Sequence, residues 1–245
     1  MEADSRYKLR NFTHARIAMG RAGNALPSNE MLNFRMSHAL ARDAVYSSLD
    51  ISNIEKQISL LGLQSIVVES MAENRNDFLL NPNKGRQLNP EYIDRLSKSG
   101  SPGIDLCIIL GDGLSANAVN LHAVKLIELL SDSLKDWQIA PVIIAQQARV
   151  ALSDTIGELL KAEISLILIG ERPGLSSPNS LGAYITYRPK AGNTDEKRNC
   201  VSNIQPDGLN YQYASVKIAY LLSEMNRLKL SGVQLKDNFD RLPSN

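Results

Sequence analysis

The chain has 245 residues, 43% of them hydrophobic and 22% charged, so it is long enough to bury a full hydrophobic core. Its 27 Lys and Arg residues balance 26 Asp and Glu residues, which excludes an overall field that would draw it to nucleic acid or to an anionic membrane. The two widely separated cysteines favour a reducing compartment, and we expect the cytoplasm because the sequence has neither a secretory signal nor a run of the ~20 apolar residues that span a bilayer.

Residues 1–63 are predicted to form an all-helical N-terminal segment. A helix opens at Ser28, after which an apolar residue recurs at every fourth position. These positions are Leu32, Met36, Leu40 and Ala44. A second, shorter helix is predicted to begin at Ser52, where Ser52 and Glu55 form a capping-box pair, and to end near Gly62. The apolar stripe of the first helix requires a surface on which to pack.

From residue 64 to residue 245 the pattern predicts a Rossmann-like α/β domain. Short apolar, β-branched runs occur at 66–68, 104–110, 142–145, 164–169 and 183–187. Helices are predicted between them, one capped by Asn89 with Pro90 in its first turn, one over 115–137 and one over 150–161. Strand, helix, strand in this order indicates right-handed crossovers and a mainly parallel sheet flanked by helices.

Loops that follow the strands are the candidate binding region. In open sheets of this kind, ligands bind outside the carboxyl ends of the strands. The loops in question are 111–115, 146–150, 170–177 and the long stretch 188–211. Functional residues are therefore expected in these four segments.

The first loop has two interpretations. Gly111 to Ala116 fits the G-x-G-x-x-A pattern between a strand and a helix, which is the context of a nicotinamide-dinucleotide site and would make the protein an oxidoreductase. Against it, the next strand ends in Ala145 and Gln146, with no carboxylate for the ribose hydroxyls, and the glycines can serve only to turn the chain tightly. Asp112 can cap the following helix or bind a ligand, and the cap is favoured.

Glu171 and Cys200 are candidates in the later loops. Glu171 follows a strand directly, where its carboxylate can accept hydrogen bonds from a ligand, although Glu171 and Arg172 can equally pair with neighbouring helices or a partner. Cys200 has no histidine nearby in sequence to act as its base, so a packed or ligand-contacting thiol is favoured over a nucleophile. The three histidines lack metal-ligand spacing, and no metal bound directly by side chains is expected.

Five phrases in register carry a resemblance to a known family. They are 16–23 (RIAMGRAG), 38–45 (HALARDAV), 111–116 (GDGLSA), 169–174 (IGERPG) and 198–204 (RNCVSNI). This set resembles the small subunit of ethanolamine ammonia-lyase over about Asn11 to Lys236. Five ordered phrases are far more specific than the glycine pattern alone.

The resemblance implies an adenosylcobalamin-dependent lyase that converts ethanolamine to acetaldehyde and ammonia by a radical route. The substrate would lie in a large subunit built as a β/α barrel, and this chain would close over the corrin at the interface, in a higher oligomer of large and small pairs. The chain alone would be inactive and would bind neither nucleic acid nor a membrane. Some relatives carry a longer N-terminal extension linked to a bacterial microcompartment, and the short start of this sequence weakens that expectation.

The resemblance also assigns cofactor contacts, all of them non-catalytic. The family's cobalamin-binding positions match Val150, Glu171 and Cys200, which we expect in loops at strand ends. The residues two before His14, His38 and His122 are Phe12, Met36 and Asn120, so the Asp-x-His-x-x-Gly loop that replaces the cofactor's own base is absent. Base-on binding is therefore predicted. A scaffold that keeps the fold but lacks the ligand remains a third hypothesis beside the lyase and the oxidoreductase.

Overall fold

The computed structural model describes residues 5–13 and 15–239 of the chain. Within them, six strands form one sheet with helices packed on both faces. The strands are β1 (Ser65–Glu69), β2 (Leu106–Gly111), β3 (Val142–Gln146), β4 (Ile164–Gly170), β5 (Leu181–Tyr187) and β6 (Arg198–Ile204). The α-helices are α1 (Ser28–Tyr46), α2 (Ile51–Leu60), α3 (Arg75–Leu80), α4 (Ile93–Ser99), α5 (Ala116–Leu130), α6 (Leu152–Leu160) and α7 (Tyr211–Leu228). Short 3-10 helices lie at Ser5–Phe12, Lys84–Arg86, Pro90–Tyr92, Ser131–Leu134, Asp195–Lys197 and Gly232–Gln234.

The sheet is mixed, which corrects part of the predicted fold. Its order is β1-β3-β2-β4-β5-β6, with parallel pairing from β1 to β4 and antiparallel pairing of β5 with β4 and of β6 with β5. Residues 171–180 connect β4 to β5 without a helix, so β5 returns directly alongside β4. The parallel part also departs from the 3-2-1-4 order of the classical dinucleotide-binding fold. The α/β class with helices on both faces is confirmed.

Two elements escaped the sequence analysis. The β6 strand is an edge strand in which only Arg198, Val201 and Ile204 are buried, so it lacks the continuous apolar run that marked the central strands. Helix α7 is capped by the Asn210 side chain, which accepts from the amide of Tyr213. Its buried residues, Ala214, Ser215, Ile218, Leu221, Leu222 and Met225, follow a helical spacing that does predict this helix.

Two apolar cores hold the layers together. One lies between the sheet and α5, α7 and α2, and the other lies between the sheet and α4 and α6. Helix α5 follows β2 and α6 follows β3, so the connections after these neighbouring strands leave toward opposite faces of the sheet. A crevice at the carboxyl ends of the strands results from that divergence.

The N-terminal helices differ in how they are packed. Ile54 and Ile58 of α2 are buried in the core beside α5, whereas the Leu32 and Met36 side chains of α1 are each 63% exposed. The α2 cap is Asp50, which accepts from the amide of Asn53, so the predicted capping box starting at Ser52 is wrong. A division of the chain at residue 63 stays a prediction.

None of the helices within 5–13 and 15–239 combines the length and the apolar character that a membrane crossing requires.

Candidate functional site

Two adjoining hollows meet at the loop after β3, one extending along β5 and β6 and the other along the loops after β2 and β4. The first hollow has a volume of about 350 Å³ and is lined by Pro82, Arg86, Arg149, Val150, Ala151, Tyr184, Asp195, Arg198 and Cys200. The second has a volume of about 400 Å³ and is lined by Gly113, Leu114, Arg149, Val150, Ile169, Gly170, Glu171, Arg172 and Tyr184. Arg149, Val150 and Tyr184 belong to both, so the hollows form one continuous site.

The three residues carried over from the resemblance meet in this site. Val150 lies in the turn before α6 and contributes to both hollows, Cys200 lines the first hollow and Glu171 lines the second. They are separated by up to fifty positions in sequence, and the register of β4, β5 and β6 brings them together. Their role as cobalamin contacts stays a prediction.

The carboxylate of Glu171 is oriented by the protein. It accepts a hydrogen bond from the Ser180 hydroxyl and another from the amide of Asn203 at 3.1 Å. A Cβ built on Gly182 would lie 3.0 Å from Glu171 Oε1, so glycine leaves the room for this side chain over β5. No described residue forms an ion pair with Glu171, so the pairing with neighbouring helices that the sequence left open is absent from residues 5–13 and 15–239.

Cys200 lies within a strand, and its expected position in a strand-end loop is wrong. It is exposed on β6 and is paired with Tyr184 of β5 in the sheet register. Its Sγ lies 3.0 Å from the Ser202 Oγ. Surrounding atoms partly desolvate the thiol and raise its pKa, which favours a protonated contact group over a thiolate nucleophile.

The long stretch 188–211 does not form a single loop at this edge. Because β5 is antiparallel to β4, residues 188–197 lie at the opposite edge of the sheet, and β6 then returns the chain to the carboxyl edge at Ile204. On β6, Val201 and Ile204 pack into the core with α5 and α7. The face that carries Cys200 and Tyr184 is therefore open along the first hollow.

Tyr184 is the central residue that the sequence analysis missed. It is half-buried, and burial raises the pKa of its hydroxyl, which also lies near Cys200 and Glu171. The sequence pattern that predicts this position is the alternation along β5: Ala183 and Ile185 are fully buried on one face, so Tyr184 between them points to the other face. An aromatic residue at the alternate position predicts a second, less buried face.

Arginines around Phe78 were also missed. The Cζ atoms of Arg75 and Arg149 lie 4.8 Å and 4.3 Å from the centroid of the Phe78 ring. Arg86 follows Gly85 and lines the first hollow beside Arg149. Since these residues lie on α3, on a 3-10 helix and in the loop after β3, no local spacing brings them together.

Asp112 does not cap α5, so the favoured interpretation of this residue is wrong. The Asp112 carboxylate is buried and accepts from the amides of Gln147 at 2.9 Å and Ala148 at 2.8 Å. Burial raises the pKa of Asp112 to about 6, although these amides and Arg75 act in the other direction. Its function in the structure is to join the loop after β2 to the loop after β3.

The structure does not support the nicotinamide interpretation of the Gly111 loop. A Cβ built on Gly113 would lie 2.2 Å from the carbonyl oxygen of Gly170, so this glycine serves the close approach of two loops. Two donors near the start of α5 are already engaged, because the amide of Leu114 donates to Gly170 O at 2.9 Å and that of Asn117 to Ser47 Oγ at 3.1 Å. A pyrophosphate would need such donors to be free.

The histidines do not line the hollows in the described part of the chain. His122 is a buried residue of α5 whose Nδ1 lies 2.8 Å from the hydroxyl of Tyr211, as expected of a satisfied helix residue. His38 lies on α1 beside Phe34. His14 falls outside the described residues.

The whole chain is similar to proteins of one known family. The family model described as ethanolamine ammonia-lyase light chain matches residues 3–236. Three curated relatives carry the name ethanolamine ammonia-lyase small subunit. The protein of Xanthomonas campestris pv. campestris (strain B100) is 46% identical over 97% of this chain and 89% of its own length. That of Rhodopseudomonas palustris (strain BisA53) is 49% identical over 94% and 89%, and that of Azotobacter vinelandii (strain DJ / ATCC BAA-1303) is 47% identical over 94% and 87%.

Proposed function

The chain belongs to the family of ethanolamine ammonia-lyase light chains, and from this membership we propose that it binds adenosylcobalamin as the small subunit of a lyase that converts ethanolamine to acetaldehyde and ammonia. One observation carries the proposal. Val150, Glu171 and Cys200, from three separate segments, line two hollows that share Tyr184. These are the three positions that the family resemblance predicts as corrin contacts, and their proximity supports the proposal.

The chemistry of the hollows fits the edge of a corrin. A corrin carries apolar methyl groups and peripheral amides, so it needs apolar surface together with a few hydrogen-bond acceptors and donors. Val150 and the ring of Tyr184 supply apolar surface, and the protonated thiol of Cys200 adds a small contact group. Glu171 Oε2 accepts from both Ser180 and Asn203, which leaves the lone pairs of Oε1 for an amide or a ribose hydroxyl.

The residues of this chain bind and orient, and none is proposed to break a bond. Homolytic cleavage of the cobalt–carbon bond is the chemistry that adenosylcobalamin supplies when bound. Glu171 fixes the position of a peripheral group, and Val150 and Tyr184 exclude water from the surface that they cover. We propose that binding is base-on, because His38 and His122 lie outside the hollows and His122 is engaged by Tyr211.

The partner in this proposal is the large subunit, which provides the substrate pocket. The apolar stripe of α1, whose Leu32 and Met36 side chains are exposed, offers a surface of the kind that subunit interfaces bury. Pairs of large and small subunits would assemble into a higher oligomer, which we propose to lie in the cytoplasm, free or packaged in a bacterial microcompartment. The chain alone should form no acetaldehyde.

The first experiment measures acetaldehyde formed from ethanolamine and adenosylcobalamin by the cognate large subunit with and without this chain. We expect product only when both subunits are present. Glu171→Ala should raise the KM for adenosylcobalamin roughly tenfold, because loss of one or two net hydrogen bonds of ~1 kcal/mol each has this effect. Glu55→Ala, at an exposed position on α2, is the matched control.

Two outcomes separate the lyase from the scaffold, and a third measurement tests base-on binding. Product that depends on this chain and responds to Glu171→Ala supports the lyase and the contact together. A complex that forms with the large subunit but retains no corrin spectrum and forms no product supports the scaffold instead. Superhyperfine coupling to a nitrogen-15 label in the cofactor's dimethylbenzimidazole, measured by electron paramagnetic resonance, is expected for base-on binding, and its absence would refute that part.

A further inference from the structure

A cluster of three arginines lies beside the shared part of the two hollows. We call Arg75, Arg86 and Arg149 the arginine cluster. Arg149 lines both hollows and Arg86 lines the first, whereas Arg75 lies behind them, with Nε donating to the Val45 carbonyl at 2.6 Å. None of these residues is among the predicted cofactor contacts.

The protein holds the guanidinium of Arg149 in one place. Its Cζ lies 4.3 Å from the centroid of the Phe78 ring, and its backbone amide donates to Gly85 O at 2.8 Å. A Cβ built on Gly85 would lie 2.7 Å from Phe78 and 2.9 Å from Arg149 Cγ, so only glycine permits this packing. A preorganised guanidinium loses little side-chain entropy when it binds a ligand.

Within the described residues, Asp112 is the carboxylate that pairs with this cluster, and it pairs with Arg75. Arg149 Nε is buried, and no residue in 5–13 or 15–239 accepts a hydrogen bond from it. The carboxylate that acts on Arg149 is Asp112, which is already engaged by two backbone amides and by Arg75 at 3.4 Å. Burial lowers the pKa of Arg149, and the charges of Arg75 and Arg86 lower it further. A partly buried guanidinium with no carboxylate of its own among the described residues is costly to desolvate, so this arrangement indicates an anionic ligand group.

We propose that Arg149, assisted by Arg86, binds the phosphodiester of the cobalamin nucleotide tail in the first hollow. This inference rests on the proposed function and extends it to a named group of the cofactor. The peripheral amides of a corrin are neutral, and the phosphodiester is the anion of its nucleotide tail, to which a guanidinium can donate two parallel hydrogen bonds. Val150, adjacent to Arg149, and Cys200 line the same hollow.

The test compares three corrinoids that differ only in the tail. Cobalamin carries the phosphate, ribose and base, cobinamide phosphate carries the phosphate alone, and cobinamide carries none of them. Affinities are measured spectroscopically on the complex of large and small subunits, for wild type and for Arg149→Gln. We expect binding of cobalamin and cobinamide phosphate to weaken about tenfold or more in the variant, and binding of cobinamide to change less than about twofold.

Two further variants show whether the effect of Arg149→Gln comes from loss of the phosphate contact or from misfolding. Arg86→Gln removes an exposed member of the cluster and should weaken the two phosphate-containing ligands in the same pattern, by a smaller factor. Arg95→Gln removes an exposed arginine on α4 and should leave all three affinities unchanged. Size-exclusion chromatography of each complex reports whether the subunits still associate.

Other outcomes would overturn the inference in recognisable ways. Equal weakening of all three corrinoids in both cluster variants would place the contact on a corrin amide, and the proposed function would still stand. Loss of subunit association in Arg149→Gln would assign the cluster to a carboxylate of the large subunit. A wild-type complex that binds no corrinoid would reject the proposed function itself, and this inference with it.

Discussion

Arg198 and Arg149 line the same hollow but have opposite surroundings. The Arg198 side chain is 2% exposed, and its terminal nitrogens contact the carboxylates of Asp154 and of Asp195, the latter at 2.8 Å. Arg149 has no acceptor among the described residues. Arg198 Nε is also buried without a partner, but the charge of that guanidinium is neutralised by two carboxylates.

This difference indicates a structural role for Arg198 and a ligand-binding role for Arg149. Arg198 begins β6 and Asp154 lies on α6, so their pair ties the edge strand to a helix of the neighbouring layer. A buried charge with its own counter-ion is complete without a ligand, whereas the partly buried charge of Arg149, which has no counter-ion among the described residues, indicates a ligand group. The comparison therefore predicts opposite responses to substitution.

The largest expected effect is on the Arg198 pair. Asp154→Asn should lower the free energy of unfolding by about 3–5 kcal/mol, because it leaves Arg198 buried beside a neutral amide. Urea unfolding followed by circular dichroism measures the loss.

Two control variants test whether the loss of stability in Asp154→Asn comes from the unpaired, buried charge of Arg198. The double variant Asp154→Leu with Arg198→Met should recover most of the stability, since removal of both charges also removes their desolvation cost. Glu224→Gln breaks the exposed pair with Arg227 on α7 and should cost less than about 1 kcal/mol. If Asp154→Asn were as mild as Glu224→Gln, the structural role of the pair would be wrong.

A smaller, pH-dependent effect is expected for Asp112, the carboxylate beside Arg75. Burial raises its pKa from 3.8 to about 6, so between these pH values the folded chain binds more protons at this site than the unfolded chain does. The contribution of Asp112 to stability is therefore greatest below pH 4 and falls as the pH rises through 6. Relative to Asp112→Asn, the wild type should lose on the order of 2 kcal/mol from pH 4 to pH 7.

Urea unfolding of both proteins at several pH values measures this difference. The exposed residue Asp94 on α4 supplies a matched control, Asp94→Asn, for the general effect of removing one carboxylate. A wild-type advantage that instead grew with pH would mean that the amides of Gln147 and Ala148 outweigh burial at Asp112.

The smallest effect on stability is expected at Arg149. Arg149→Gln should change the free energy of unfolding by less than about 1 kcal/mol, because the lost contact with Phe78 is offset by relief of an unpaired, partly desolvated charge. Thermal and urea unfolding of the isolated chain measure it. A loss as large as that of Asp154→Asn would make Arg149 a second structural arginine and remove its distinction from Arg198.

Patterns local in sequence predicted much of this fold. The central strands and the helices after β2 and β3 follow from apolar runs and helical spacing, because a buried element must be apolar over its whole length or along one stripe. Strand β6 was missed because an edge strand with one open face has no such run. The buried residues of helix α7 follow a clear helical spacing, so this helix could have been predicted from the sequence.

Parts of the site were predicted only in outline. Glu171 was expected at a strand end and lies there, whereas Cys200 was expected in a loop and lies on β6. The prediction that Asp112 caps α5 was wrong because its carboxylate accepts from the amides of Gln147 and Ala148, which lie 35 and 36 residues away in sequence. Tyr184 and the arginine cluster depend on contacts between layers, which no spacing within one element encodes.

By itself, the sequence determined the α/β class, the family and the strand-end region in which to search, since composition, periodicity and ordered phrases are properties of the chain. The tertiary structure decided that the sheet is mixed, that Val150, Glu171 and Cys200 line adjoining hollows, and that Arg149 has no counter-ion within residues 5–13 and 15–239, where Arg198 has two. These facts depend on which distant segments come into contact, and on how much water those contacts exclude from each charge.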